Sequence, residues 1–412
     1  MRSTLLSPVL AVTVVVLALG AGAPAHAQTF KVLHTFAGYP TDGGGPTAVL
    51  LMDASGNIYG TTVSGGSVSN GFCPGGCGTV FELDTHGVEI VLHSFTGPDG
   101  ANPVANLIMD GKGNLYGTTA AGGLLDTFDC TRIGTTGCGV IFKLSGSKQT
   151  VLHRFTGVDG AWPQAGLAAD RAGTLYGTTS GGGDSGYGVV FKLAGKNETV
   201  LHSFTGGKDG RYPQASLLRD PKGNFYGTVT SAGDLNCHHP YGCGVVFKLS
   251  QTGKETVLHS FRGEDGDGPF AGVIQDAKGN LYGTTSSGGN LFCDAPYGCG
   301  AVFKLSQAGK ESVLFRFEAY RNGDGPGGLV RDARGNLYGT TAIGGGRYNE
   351  GVVYELTTDG KEKILHTFCS SDYCSDGAYP LAGLIMDAKG NLYGTTYYGG
   401  VNDLGVIFMI TP

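Results

Sequence analysis

The chain has 412 residues, of which 75 are glycine and 16 are proline, while only 15% are charged. Globular proteins carry about 25% charged residues, so a helical bundle or coiled coil, which needs Glu and Lys in quantity, is excluded. The 40% hydrophobic content excludes disorder, and a formal charge of −6 gives no reason to expect nucleic acid or an anionic membrane as partner. Many short strands joined by glycine-rich turns remain.

Residues 1–27 read as a signal peptide. Arg2 supplies the positive start, Leu10 to Leu19 is an apolar run too short to span a bilayer, and Ala25-His26-Ala27 is a small-x-small cleavage site. Residues 28–412 are then expected to be one mature domain, secreted or periplasmic, monomeric and without a membrane span.

Within that domain a Tyr-Gly-Thr segment begins at Tyr59, Tyr116, Tyr176, Tyr226, Tyr282, Tyr338 and Tyr393, at spacings of 50 to 60 residues. A period of this size marks a solenoid, propeller or array. One unit runs through Gly272–Asp276, Leu281–Thr285, Gly300–Leu305 and Glu311–Phe317. These are four short segments rich in β-branched and aromatic residues, predicted as strands a, b, c and d. The a–b turn opens on Asp (Asp53, Asp110, Asp170, Asp220, Asp276, Asp332, Asp387), with Gly three residues later. Asp accepts backbone hydrogen bonds in such a turn, and Gly permits the left-handed conformation.

Seven four-stranded units predict an all-β, seven-bladed β-propeller with strand a lining the central channel. The chain opens on a lone d strand, Phe30–Phe36, and its last strand is a c strand, Gly405–Ile410. The two are expected to pair in the last blade, closing the ring and removing an exposed edge.

The ten cysteines fall as five local pairs: Cys73 with Cys77, Cys130 with Cys138, Cys237 with Cys243, Cys293 with Cys299, and Cys369 with Cys374. None has zinc-finger spacing, so disulfides formed in an oxidising compartment are expected.

The recurring Asn-Leu-Tyr-Gly-Thr-Thr, Gly-Gly and Gly-Val-Val-Phe-Lys-Leu segments resemble the GloVer tandem-repeat family of exported bacterial proteins. The resemblance covers all seven repeats, and the a–b grammar is similar to that of NHL-type propellers. It implies export and a repeat fold, and carries over no catalytic residue.

Six histidines occupy strand d (His34, His93, His153, His202, His259, His366), with Phe315 in the remaining repeat. Outermost strands lie far apart around a ring, so a buried inter-blade hydrogen bond is expected of each rather than a joint metal array. The d–a loops carry an Asp-Gly pair at Asp42, Asp99, Asp159, Asp209, Asp265, Asp324 and Asp376, expected near one mouth of the channel. Most such residues cap turns. Asp99, Asp159, Asp209, Asp265 and Asp376 are also candidate ligands for Ca²⁺, a hard cation that takes oxygen.

In a propeller the d–a and b–c loops share one face, and every predicted disulfide lies there. That bracing lowers the ordering cost of binding. Trp162, Tyr212 and Tyr379 precede the loop proline, and Tyr187, Tyr241 and Tyr297 lead into strand c. Rigid aromatic rings beside Asn and Asp suit sugar stacking or peptide recognition, so these six are the candidate ligand-binding residues. No G-x-S-x-G, H-E-x-x-H or P-loop occurs, and no catalytic residue can be assigned. His238-His239 is the one repeat-breaking histidine pair. The preferred reading is a non-catalytic binding module for a glycan or an envelope protein. The alternatives are a secreted hydrolase or lyase acting on carbohydrate or lactone with a bound cation at channel-mouth carboxylates, and an adhesion scaffold.

Overall fold

The computed structural model describes residues 28–67, 72–124, 130, 137–238, 240–370 and 372–412. Residues 1–27 (expected to be a signal peptide), part of the second b–c loop and His239 lie outside them. Seven four-stranded antiparallel sheets form a seven-bladed β-propeller. Blade 1 comprises Leu51–Met52 (a), Ile58–Thr62 (b), Thr79–Leu83 (c) and Glu89–Ser94 (d). Blades 2 to 6 repeat this order within residues 108–154, 168–203, 218–260, 274–316 and 330–367. Blade 7 takes Ile385–Met386, Leu392–Thr396 and Val406–Thr411 from the end of the chain and Thr29–Thr35 from its beginning. The closing pair runs antiparallel from Thr29 opposite Thr411 to Thr35 opposite Val406, so the ring closes as predicted. Among the described residues the helical structure is a three-residue 3-10 turn at Asp372–Cys374, and no helix is long and apolar enough to cross a membrane.

The a–b turn explains more of the motif than the turn itself. In blade 1, Asp53 Oδ1 accepts from the Ser55 and Asn57 amides, while Oδ2 accepts from Asn57 Nδ2 at 3.1 Å and Tyr59 Oη at 3.3 Å. The Asn and Tyr of Asn-Leu-Tyr-Gly-Thr therefore belong to the same cluster as the Asp. The following glycine has a different cause. A Cβ on Gly60 would fall 2.5 Å from Cζ of Phe81, the c-strand ring that lies across it, and 2.6 Å separates the corresponding pair Gly283 and Phe303.

Strand a is shorter than expected, two residues in each blade, because the stretch before it spends its carbonyls on the neighbouring blade. Thr61 Oγ1 donates to the Ala105 carbonyl at 3.3 Å, and Thr118, Thr178, Thr228, Thr284 and Thr340 repeat this bond across the next five seams. The seventh threonine, Thr395, is buried with its hydroxyl unpartnered.

Blades are glued by aromatic pairs. The phenylalanine that follows strand d packs edge-on against the c-strand ring of the next blade, from Phe36 on Phe81 through Phe204 on Phe247 to Phe368 on Phe408. The seven centroid distances are 5.1–5.4 Å and the interplanar angles 62–69°. T-shaped pairs at this separation are favourable beyond their buried area. The loop proline adds a second contact. Pro103 Cδ lies 2.6 Å from where a Cβ of Gly78 would stand, and Pro46 Cδ lies 2.8 Å from that of Gly405 across the closing seam. Both glycines hold φ near +94°, at +95° and +93°, so the close approach and the backbone conformation both require glycine.

Every c–d pair carries a one-residue bulge, as between Val80 and Phe81, which leaves Leu92 unopposed. A bulge re-aims the side chains beyond it. Glu89 and His93 would share a face in a regular strand of period two; the bulge sends them to opposite seams.

Candidate functional site on the loop face

The d–a and b–c loops lie together, as the propeller topology requires. Backbone bridges join Ala101 to Ala121, Ala161 to Gly181, Arg211 to Ser231, Asp267 to Ser287 and Ala378 to Tyr398. All five cysteine pairs are disulfide-bonded, with Cα–Cα separations of 4.0–5.6 Å, and all lie in these loops.

Exposed aromatic side chains concentrate on this face. Among the described residues Tyr39, Tyr212, Tyr241, Phe270, Phe292, Tyr297, Tyr320, Tyr348, Tyr373 and Tyr398 are at least about one-third exposed, and all ten stand in d–a or b–c loops. The sequence reading reached Tyr212, Tyr241 and Tyr297. It passed over Phe270, Phe292, Tyr320 and Tyr373, although their position inside loops was already readable.

The six candidate binding residues do not form one cluster. Tyr187, Tyr212 and Tyr241 converge on the guanidinium of Arg211, which lies 5.8, 5.3 and 6.0 Å from the three ring centroids. Arg211 donates to the Tyr241 carbonyl at 3.3 Å, its Nε is buried without a partner, and no carboxylate pairs with it among the described residues. This is a half-buried cation held by ring faces. Sequence reasoning missed Arg211, whose partners come from two different b–c loops. Tyr297 instead stands edge-on to His238, 5.8 Å away, and His238 Nδ1 lies 2.7 Å from Asp267 Oδ2. Tyr379 packs on Tyr398 at 5.8 Å. Trp162 is half-buried against the core of blade 3, with its indole N–H unpartnered.

Trp162, Tyr212 and Tyr379 share a backbone feature, φ of +56°, +62° and +56°. The equivalent position before the loop proline is Gly45, Gly268 or Gly325 in three other blades and Asn102 in the fourth, all likewise left-handed. A side chain in that region costs on the order of 1–2 kcal/mol, and such strain collects at functional sites.

The loop aspartates point elsewhere than expected. Rather than facing the channel, they turn outward to strand d. His34 Nε2 lies 3.1 Å from Asp42, His93 3.0 Å from Asp99, His153 2.9 Å from Asp159, His202 3.4 Å from Asp209, His259 2.9 Å from Asp265 and His366 3.0 Å from Asp376. The second carboxylate oxygen caps the loop, as where the Thr96 amide donates to Asp99 at 2.7 Å. Burial opposes ionisation of Asp99, Asp159, Asp265 and Asp376, but the hydrogen bonds outweigh it and hold all four below the usual carboxylate range. Five of the histidines are thus partly buried and hydrogen-bonded to the following loop, while His202 makes only the longer contact with Asp209. Asp324 is out of register with this set. Its blade uses Asn322, whose Oδ1 accepts from the Glu318 amide at 2.7 Å, opposite Phe315 in place of histidine. Asp324 itself forms an extra strand with Ile343 opposite.

A glutamate from the next blade faces each of several His–Asp pairs. Burial, and then the nearby Asp42, Asp159 or Asp209 carboxylate, pushes Glu89, Glu198 and Glu255 up to about 7. The central channel is different. Its cavity of about 410 Å³ is lined by small residues of the inner strands with Thr47, Asn106, Gln164, Gln214 and Ser216, and no charged side chain lines it. Larger clefts, about 570 and 860 Å³, open between blades on the turn face, where the a–b turn aspartates are already bonded.

Solved structures with a similar fold include two versions of an extracellular domain from B. thetaiotaomicron. One, from a hybrid two component system, has 12% identity and a TM-score of 0.55 over 92% of this chain and 39% of that one. The other, from a one component system, has 13% identity and a TM-score of 0.52 over 90% and 40%. PorZ, a surface component of the type-IX secretion system of Porphyromonas gingivalis, has 14% identity and a TM-score of 0.50 over 89% and 47%. This chain therefore spans less than half the length of each, and the likeness is one of fold. No curated protein matches it. The repeat itself is more specific: residues 22–129, 127–295 and 293–412 match the Gloeobacter/Verrucomicrobia repeat in turn, and the chain belongs to that family.

Proposed function

We propose that this protein is an exported binding module that recognises carbohydrate through the aromatic side chains of its loop face. The observation that carries the reading is the placement, among the described residues, of all ten exposed aromatic side chains on the disulfide-braced face. Exposed aromatic side chains gathered on one face favour recognition of a ligand. Rigid rings offer contact area at low entropic cost, and the disulfides hold their loops in place before a ligand arrives.

Within that face the Arg211 cage is the strongest local candidate. Tyr241 and Tyr212 are 64% and 36% exposed and present rings to solvent. The guanidinium between them supplies a positive charge with no carboxylate counter-ion among the described residues, which favours a saccharide bearing a carboxylate or sulfate over a neutral one. Five disulfides fit an oxidising, extracytoplasmic location. The hydrolase reading draws no support from the channel, whose lining carries neither carboxylate nor imidazole.

The test is a glycan array with the mature protein, containing neutral and uronate-bearing oligosaccharides. Binding to at least one class is expected. Tyr241→Ala should weaken it about tenfold, the 1.4 kcal/mol a stacked ring with a cation contributes, and Arg211→Gln should act selectively on the acidic ligands. Absence of binding across the array, or binding unchanged in both variants, overturns the proposal; capture of an envelope protein by the same face would replace carbohydrate with protein as the ligand.

A further inference from the structure

Four of the seven blade seams carry one imidazole and two carboxylates from three separate segments; between blades 3 and 4 the set is looser, with His202 3.4 Å from Asp209 and Glu255 facing them, and the other three are compact. His34, Asp42 and Glu89 meet between blades 7 and 1, His153, Asp159 and Glu198 between blades 2 and 3, and His259, Asp265 and Glu311 between blades 4 and 5. In each set the candidate ligand atoms all lie within 4.8 Å of one another. The glutamate is the anomaly. Oε1 of Glu89, Glu198 and Glu311 is shielded from solvent and accepts no hydrogen bond, as is that of Glu255 and Glu362 in two other seams, and only in the first three do a histidine and an aspartate close on it within 4.8 Å. Two ionised carboxylates facing each other across a partly buried seam would carry a charge of −2; among the described residues no Lys or Arg forms an ion pair with them, and Arg316 acts on Glu311 only from farther away.

We infer that these three seams are divalent transition-metal sites, each ligated by His Nε2, an Asp oxygen and the orphaned Glu oxygen. The chemistry of the donors selects the ion. Ca²⁺ takes six to eight oxygen ligands and has no use for imidazole. Soft ions need thiolate, and no cysteine is free. A borderline ion such as Zn²⁺ suits one nitrogen and two oxygens, at bond lengths of about 2.0–2.2 Å, and leaves a fourth position for water. The ion takes the place of the proton between His Nε2 and Asp Oδ2, which moves to Nδ1 from a neutral imidazole or leaves to solvent from an imidazolium, so that a neutral imidazole with its proton on Nδ1 binds the metal. Any proton on the glutamate leaves to solvent. The two carboxylate charges and the dication then cancel, and two blades are stapled together.

The chain contains its own controls. The seam between blades 1 and 2 has His93 and Asp99, but Gln149 stands where the glutamate would be, donating to the Asp99 carbonyl at 3.2 Å. Between blades 6 and 7 the place is taken by Phe30, stacked on His366 at 3.7 Å. Between blades 5 and 6 the histidine and aspartate are Phe315 and Asn322. A seam without the glutamate therefore folds, and Glu198→Gln reproduces one that already exists.

The experiment is equilibrium dialysis of the tag-free mature protein against Zn²⁺, with bound metal counted by elemental analysis. Three ions per chain are expected, one fewer in Glu198→Gln and one more in Gln149→Glu, which completes the set in the seam of blades 1 and 2. No bound zinc, or a count that neither variant changes, overturns the inference. Because the variants are read as differences, zinc held by exposed histidines such as His86 cannot imitate the result.

Discussion

Removing one ring from the closing seam tests whether the propeller is closed by a seam as strong as the others. Phe36 follows the N-terminal strand, is fully buried, and packs on Phe81 of blade 1 at 5.3 Å and 65°. Phe204 makes the same contact between blades 3 and 4, on Phe247 at 5.4 Å and 69°, and is equally buried. Truncating a buried phenylalanine to alanine costs about 3–5 kcal/mol, from lost transfer free energy and the cavity left behind. The edge-to-face pairing accounts for about 0.5–1.5 kcal/mol of this. The closing seam also holds the six-pair ladder between Thr29–Thr35 and Val406–Thr411 and the contact of Pro46 with Gly405. If closure is complete, Phe36→Ala and Phe204→Ala cost the same to within about 1 kcal/mol, the scatter expected of equivalent sites. Urea denaturation in oxidising buffer, followed by circular dichroism and tyrosine fluorescence and compared at a shared m-value, measures the difference. A cost below about 1 kcal/mol for Phe36→Ala beside 3–5 kcal/mol for Phe204→Ala would mean that the first strand frays in solution, and the argument for a sealed ring would fail.

Two further outcomes follow from the same geometry. Glu89, Glu198 and Glu255 are raised from 4.5 to about 7 on folding, so the folded protein binds their protons more tightly than the unfolded chain does. Their contribution to stability is therefore fully present below pH 4.5 and is lost as pH rises through 7. In metal-free protein the melting temperature should fall between those limits, and Glu198→Gln should flatten the slope; an unchanged slope in that variant would count against the buried glutamate. Gly283→Ala places a Cβ 2.6 Å from Phe303 Cζ and should cost about 1–3 kcal/mol by overpacking. Gly111→Ala, where nothing lies within 4 Å, should leave the urea midpoint unchanged or slightly raised, and equal effects of the two would refute the steric account.

Local spacing was enough for the blades, because a blade is a local object. Its strands are consecutive, its turns are chosen by Asp and Gly a few residues apart, and its disulfides close loops of four to eight residues. Even the closing strand was readable, since the chain begins with a d strand and its last strand is a c strand. The candidate site was legible only in part. That the aromatic residues stand in loops of one face follows from topology, but their grouping around Arg211 depends on two b–c loops meeting over one d–a loop. The register of Asn322 was hidden by the Asp-Gly two residues later, and it is the proline four residues on, packed on Gly300, that identifies the true equivalent.

The sequence by itself determined seven four-stranded blades, their closure and the face that carries the disulfides, since all of these are set by short-range patterns repeated along the chain. Only the tertiary structure decided which side chains meet at the seams. A one-residue bulge in every d strand turns the residues at its two ends to opposite neighbours, so that His34, His153 and His259 each find one carboxylate in the loop that follows and another in the blade ahead. No spacing along the chain encodes that meeting, because it exists only once the ring has closed.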